Sequence, residues 1–206
     1  VGVLQNEASL RDSVWASFKR CCDAAHEPPS TLSEALQESN VACLRVLSSR
    51  VMPEMFNAYV KIYTENEGQD ASRVSHSRQL ALGAVSSFAQ VCEPVFVGSL
   101  FKTLVAKWLK ATTGEAPPTE APALGDLANT LVPHLPAELL ELALKVFGPA
   151  LKSATPNSGS EEEKLLAANV QKAAYRAICN VIRHPAAATG GLGDAAKVIS
   201  LWSALK

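Results

Sequence analysis

Apolar side chains recur at three- and four-residue steps along almost the whole chain, and that spacing predicts a protein built from helices. The first stripe joins Leu10, Val14, Phe18, Cys21 or Cys22, and Ala25, and predicts a helix over about 7–26. Pro28-Pro29 ends it, because proline has no N–H to donate and keeps its predecessor out of helical geometry. Thr31-Leu32-Ser33-Glu34 then reads as a capping box. It opens a helix to about 49 with Leu32, Leu36, Cys43, Leu44 and Leu47 inward. Pro53, a favourable first-turn residue, predicts the start of a third helix carrying Phe56, Tyr59, Val60 and Tyr63 and closed at Gly68.

Asp70 is the expected cap of a fourth helix, whose inward face holds Val74, Ala81, Val85, Phe88 and Cys92. Pro94 starts a fifth, with Phe96, Leu100, Leu104, Trp108 and Leu109. Three prolines in Gly114-Glu115-Ala116-Pro117-Pro118-Thr119-Glu120-Ala121-Pro122 predict an extended loop over 114–123. Helical spacing resumes at Leu124, Leu127 and Leu131, and again after Pro136 with Leu139, Leu140, Ala143, Phe147 and Leu151, where Pro149 should kink or end the helix. Ser160-Glu161-Glu162-Glu163 is a second capping box. Leu166, Val170, Ala174, Ile178, Val181 and Ile182 form the inward stripe behind it, His184-Pro185 ends that helix, an Ala/Gly-rich loop occupies 185–193, and Asp194 opens a partial helix. Hairpin turns and clean alternation are missing, so strands are not expected.

Pro53, Pro94 and Pro136 lie 41 and 42 residues apart, and the residues after each agree in hydrophobic phase. A two-helix unit with a period in the low forties points to a HEAT- or armadillo-like α-solenoid. One helix pair cannot cover its own apolar face, so neighbours stack into a shared core. The expectation is therefore an all-α chain of antiparallel helix pairs. About four pairs plus a partial helix would form a single array over 1–206, cut from a longer chain.

Composition narrows the functional classes. Of 206 residues 48% are apolar and 19% charged, enough to build a core. Nineteen basic against 20 acidic side chains give a net charge of -1, so bulk charge cannot drive coating of DNA or membranes. No apolar run approaches the roughly 20 residues of a membrane-crossing helix. The five cysteines form no Cys-x-x-Cys, sit in apolar helical patterns and read as free core thiols of a reducing compartment. The four histidines are scattered, His26 and His184 at helix ends where a cation suits the dipole, so neither metal nor cofactor is expected. Thr189-Gly190-Gly191-Leu192-Gly193 lacks the strand and the Lys-Ser/Thr of a phosphate loop. No catalytic constellation or small-molecule site is evident.

The candidate contact surface is a stripe of Lys172, Arg176 and Arg183 at steps of four and seven, able to meet RNA phosphates or an acidic protein segment. Lys102, Lys107 and Lys110 make a weaker cluster.

Asn169-Val170-Gln171-Lys172-Ala173-Ala174-Tyr175-Arg176-Ala177-Ile178 resembles a helix of the HEAT-repeat family of ribosomal RNA-processing protein twelve, with Ala173 standing where that family has a lysine. Leu131 to Pro136 and Phe147 to Leu151 occupy the places of its preceding helix pair, and the likeness spans about 124–185. It implies a non-enzymatic, nucleolar factor of small-subunit assembly and export that holds pre-ribosomal RNA and other assembly proteins. Only Lys172, Tyr175 and Arg176 carry over by residue, with Tyr175 read as a partly buried packing residue. A HEAT-type transport receptor or cytosolic adaptor that binds protein segments is the competing expectation.

Overall fold

The computed structural model describes residues 8–26, 34–64, 71–152 and 160–188, and every regular element among them is helical. In chain order these are α1 (Ala8–Ala24), α2 (Glu34–Thr64), α3 (Ala71–Val91), α4 (Pro94–Thr113), α5 (Ala121–Leu131), α6 (Leu140–Lys152), α7 (Glu161–Arg183) and the short α8 (Pro185–Ala188). Three-residue 3-10 turns lie at Pro118–Glu120, Val132–His134 and Ala137–Leu139. The chain divides into two compact units, Val1–Phe96 and Val97–Lys206.

In the first unit α3 packs against both α1 and α2. The expected inward face of α3 is correct, since Val74, Ala81, Val85, Phe88 and Cys92 are all buried. Phe88 meets Phe18 of α1 edge-on at 5.0 Å, a favoured arrangement of two ring quadrupoles. Arg45 of α2 closes the C-terminus of α3, donating from Nε to the Val91 carbonyl at 3.0 Å while pairing with Glu93 at 3.1 Å. That carbonyl would otherwise be one of the orphans of a helix end.

The helix predicted to begin at Pro53 does not exist as a separate element. Pro53 lies inside α2, which runs unbroken for 31 residues. The buried face of α2 crosses the proline without a change of phase, through Ser48, Met52, Met55, Phe56, Tyr59 and Ile62. Interior proline costs about 3 kcal/mol. Burying Met52, Met55 and Phe56 offsets that at about 1.5–3 kcal/mol each. Of the three prolines that set the period, only Pro94 opens a helix directly, and Pro136 precedes the 3-10 turn that leads into α6.

The first half of α2 also corrects the predicted face. Leu36, Cys43 and Leu47 are exposed and Leu44 is half-buried. The inward face turns instead toward Ser48 and Met52. In α1 Leu10 is exposed, Cys22 rather than Cys21 is the buried thiol, and Trp15, absent from the predicted stripe, is 1% exposed. Leu32, the Thr31 cap, Gly68, Asp70, the 189–193 glycines and Asp194 fall outside the described residues.

In the second unit α7 packs against α5 and α6, and Trp108 of α4 meets Phe147 of α6 with centroids 4.8 Å apart and the rings tilted by 49°. Gly114, at φ +85°, ends α4 by letting the Glu115 N–H reach the Lys110 carbonyl at 2.9 Å, a left-handed cap that glycine adopts without strain. The Pro-rich stretch 114–123 is shorter as a loop than expected. Pro118–Glu120 is a 3-10 turn and Ala121, Pro122 and Ala123 are already the buried first turn of α5. Proline is tolerated there because first-turn amides have no helical partner. Pro149, expected to kink or end the helix, does not end α6, which continues to Lys152. The 185–193 loop likewise begins with the helical turn of α8.

Candidate functional site

The Ser160 cap fixes where α7 starts. Its hydroxyl accepts the Glu163 N–H at 3.2 Å, and the Ser160 N–H donates to the Glu163 carboxylate at 2.8 Å. Both halves of the predicted capping box are present, so Glu163 serves the helix end, while Glu161 pairs with Lys164 at 2.9 Å.

From there the helix is two-faced. Ala173, Ala174, Ala177, Ile178 and Val181 are buried. Between α5 and α7 the contact is close because the side chains are small. A Cβ on Gly125 would stand 2.8 Å from the Ala173 Cβ and 3.2 Å from the Trp108 indole nitrogen. One turn further along α5, Asn129 donates to the Ala173 carbonyl at 2.9 Å, and Asn180 donates to the Asn129 carbonyl at 3.2 Å. This buried clasp was not legible in the sequence, where Asn129 looks like an ordinary polar residue in a leucine-rich helix. It also suits an alanine at 173, where a lysine would have to enter the close contact between α5 and α7.

Lys172, Arg176 and Arg183 all stand exposed on the opposite face, as their spacing predicts. They are not equivalent. Arg176 pairs with Asp126 of α5 at 3.3 Å, its side chain still half exposed. Lys172 and Arg183 have no carboxylate partner among the described residues. Tyr175, expected as a partly buried packing residue, is 52% exposed and stands on the cationic face. Leu165, 64% exposed, extends the same sector toward the start of the helix. Beside it lies an open groove of about 450 Å³ lined by Pro118, Thr119, Ser160, Glu163, Leu165, Leu166 and Asn169. In the second basic cluster all three lysines are exposed, Lys107 and Lys110 three apart on one side of α4 and Lys102 turned away from Lys107 by about 140°.

The cysteines divide in two. Cys21 and Cys43 are exposed, against expectation, and Cys22 and Cys92 are buried. Burial pushes the Cys22 thiol up to about 12, helped by Cys21, Asp23 and Cys92 nearby, and pushes Cys92 up to about 11. Neutral thiols are poor nucleophiles. They also make stability depend on pH with a defined sign. The unfolded chain releases these protons near the ordinary value of 9.0 whereas the folded chain retains them. Stability is therefore full below about 9 and falls as pH rises toward 11–12. Denaturant midpoints at pH 8 and pH 10 check this, and Cys22→Ala with Cys92→Ala should flatten the decline.

His184 stands at the end of α7, as expected, and its Nδ1 accepts the Ala186 N–H at 3.2 Å where α8 begins. Among the described residues, no three His, Cys, Asp or Glu side chains are grouped to hold a metal, and no helix is long and apolar enough to cross a membrane. No protein-family model, no curated protein and no solved structure matches this chain.

Proposed function

We propose that this chain is a non-enzymatic helical-repeat scaffold, built of stacked HEAT-type helix pairs, that serves assembly of the small ribosomal subunit. The observation carrying this reading is the outer face of α7. Lys172, Tyr175 and Arg176, the three positions that carry the resemblance to the ribosomal RNA-processing protein twelve family, stand together in solvent on a helix whose other side is buried. The local packing is compatible with stacked pairs. In each unit the last long helix, α3 or α7, touches the helix before it and the one before that. Successive pairs in a solenoid make those contacts. The break of period at Pro53 makes the array irregular in its first unit.

Sedimentation tests the setting. Expressed with an epitope tag in eukaryotic cells, the chain should reach the nucleolus and co-migrate with particles containing small-subunit precursor RNA. Migration as a free protein, with no nucleolar enrichment, overturns the assignment. A protein-binding adaptor is favoured over an RNA coat by one observation, the exposed apolar surface of Leu165 and Tyr175 among the cations.

A further inference from the structure

We infer that the outer face of α7 docks an acidic, amphipathic protein segment, one with apolar side chains that cover Leu165 and Tyr175 and carboxylates that face Lys172, Arg176 and Arg183. The inference rests on reading the chain as a scaffold and names the chemistry of the partner at that face.

At about 100° per residue, Leu165, Lys172, Tyr175, Arg176 and Arg183 fall within about 100° of one another around the helix. Ala168 and Cys179 lie in the same sector and leave its middle low. Leu165 and Tyr175 are separated by about 15 Å along the axis, and Lys172 and Arg183 by about 16 Å. Apolar and cationic groups thus alternate along one ridge. The helix has no internal use for the two outer apolar groups, because Ala174, Ala177, Ile178 and Val181 already fill its buried side. At the Leu165 end, the groove against Pro118 and Thr119 offers room for an inserted side chain.

Charge selects the partner. From Lys172 to Arg183 three cations meet one carboxylate among the described residues, Asp126, while the acids at the Leu165 end, Glu161 and Glu163, are engaged by Lys164 and by the Ser160 N–H. Asp126 holds Arg176 through one guanidinium nitrogen at 3.3 Å, and the Arg176 side chain stays half exposed. Lys172 and Arg183 await carboxylates from elsewhere. An RNA backbone fits less well. It rewards charge density, and here one of three cations is already partly neutralised on a chain of net charge -1. Tyr175 could stack on a base, but Leu165 offers nothing to phosphate or ribose. Exposed apolar groups beside cations suit a partner that brings apolar side chains together with opposite charge.

A displayed library of random 16-residue peptides, selected on the whole chain, tests this. Selection should enrich peptides that combine apolar residues with several Asp or Glu. Fluorescence anisotropy of the enriched peptides should show binding weakened about tenfold or more by Lys172→Glu with Arg183→Glu. Leu165→Ser with Tyr175→Ser should weaken it comparably. Both double variants change exposed side chains, so their unfolding midpoints should stay at the parent value, which separates lost docking from lost folding. Enrichment of neutral or basic peptides, or binding indifferent to both variants, overturns the inference. A structured RNA hairpin bound by the parent and released by the charge reversals, with no acidic peptide selected, also overturns it and gives the face to RNA. The outcome is independent of sedimentation. Acidic peptides bound by a chain that never meets pre-ribosomal particles would keep the docking face and remove the ribosomal setting.

Discussion

Gly125→Val should lower the stability of the second unit by about 3 kcal/mol, the upper part of the usual range for overpacking a helix interface. At most positions inside a helix, replacing glycine by alanine gains about 1 kcal/mol. Here the first added carbon meets the Ala173 Cβ at 2.8 Å. A Cβ moves only if its backbone moves, and the backbone of α7 is held at this level by Asn129 on the Ala173 carbonyl and Asn180 on the Asn129 carbonyl. Separating the helices would strand buried polar groups at about 1–3 kcal/mol each. Trp108 blocks the other escape, its indole nitrogen 3.2 Å from the added carbon. Gly98→Ala is the control. Its added carbon meets Leu139 Cδ1 at 2.7 Å, the free end of a side chain that can rotate away, so the change should stay within about 1 kcal/mol. Denaturant midpoints read both. Gly125→Ala combined with Ala173→Gly should recover much of the loss of Gly125→Ala alone, because the pair shares one contact.

The all-helical class was legible because apolar spacing is a property of the chain itself. The faces of α3, α5 and the second half of α7 followed from it. Ser160 was legible for a similar reason, since a capping box needs only residues three apart. Pro53 misled because a proline shows only a local cost, whereas the gain that overrides it comes from Met52, Met55 and Phe56 packing in the core. Leu36, Cys43 and Leu47 misled in another way. The first half of α2 carries apolar residues on more than one side, and spacing alone does not say which side the neighbouring helices cover. At the candidate site, Lys172, Arg176 and Arg183 were found from periodicity, and their exposure followed from the burial of Ala174 and Ile178 behind them. Asp126 was not found, because its approach to Arg176 spans 50 residues of sequence and depends on how α5 lies against α7. Tyr175 was read as a partly buried packing residue, although its phase placed it beside Lys172.

The second large effect concerns the two faces of α7, on which the proposed scaffold and docking surface both depend. Ile178 has no exposed surface, and truncating it to alanine removes packing that the neighbouring helices cannot replace. Ile178→Ala should cost about 2–5 kcal/mol. Lys172, one and a half turns earlier, is exposed and without a carboxylate partner among the described residues, so Lys172→Ala should fall within about 0.5 kcal/mol of the parent. The decisive measurement is the chemical-denaturation midpoint of these two variants side by side. A large loss for Ile178→Ala with none for Lys172→Ala is the result a helix buried on one side and open on the other requires. Equal losses, or a greater loss at Lys172, would mean that α7 is turned otherwise, and the proposed surface would not exist.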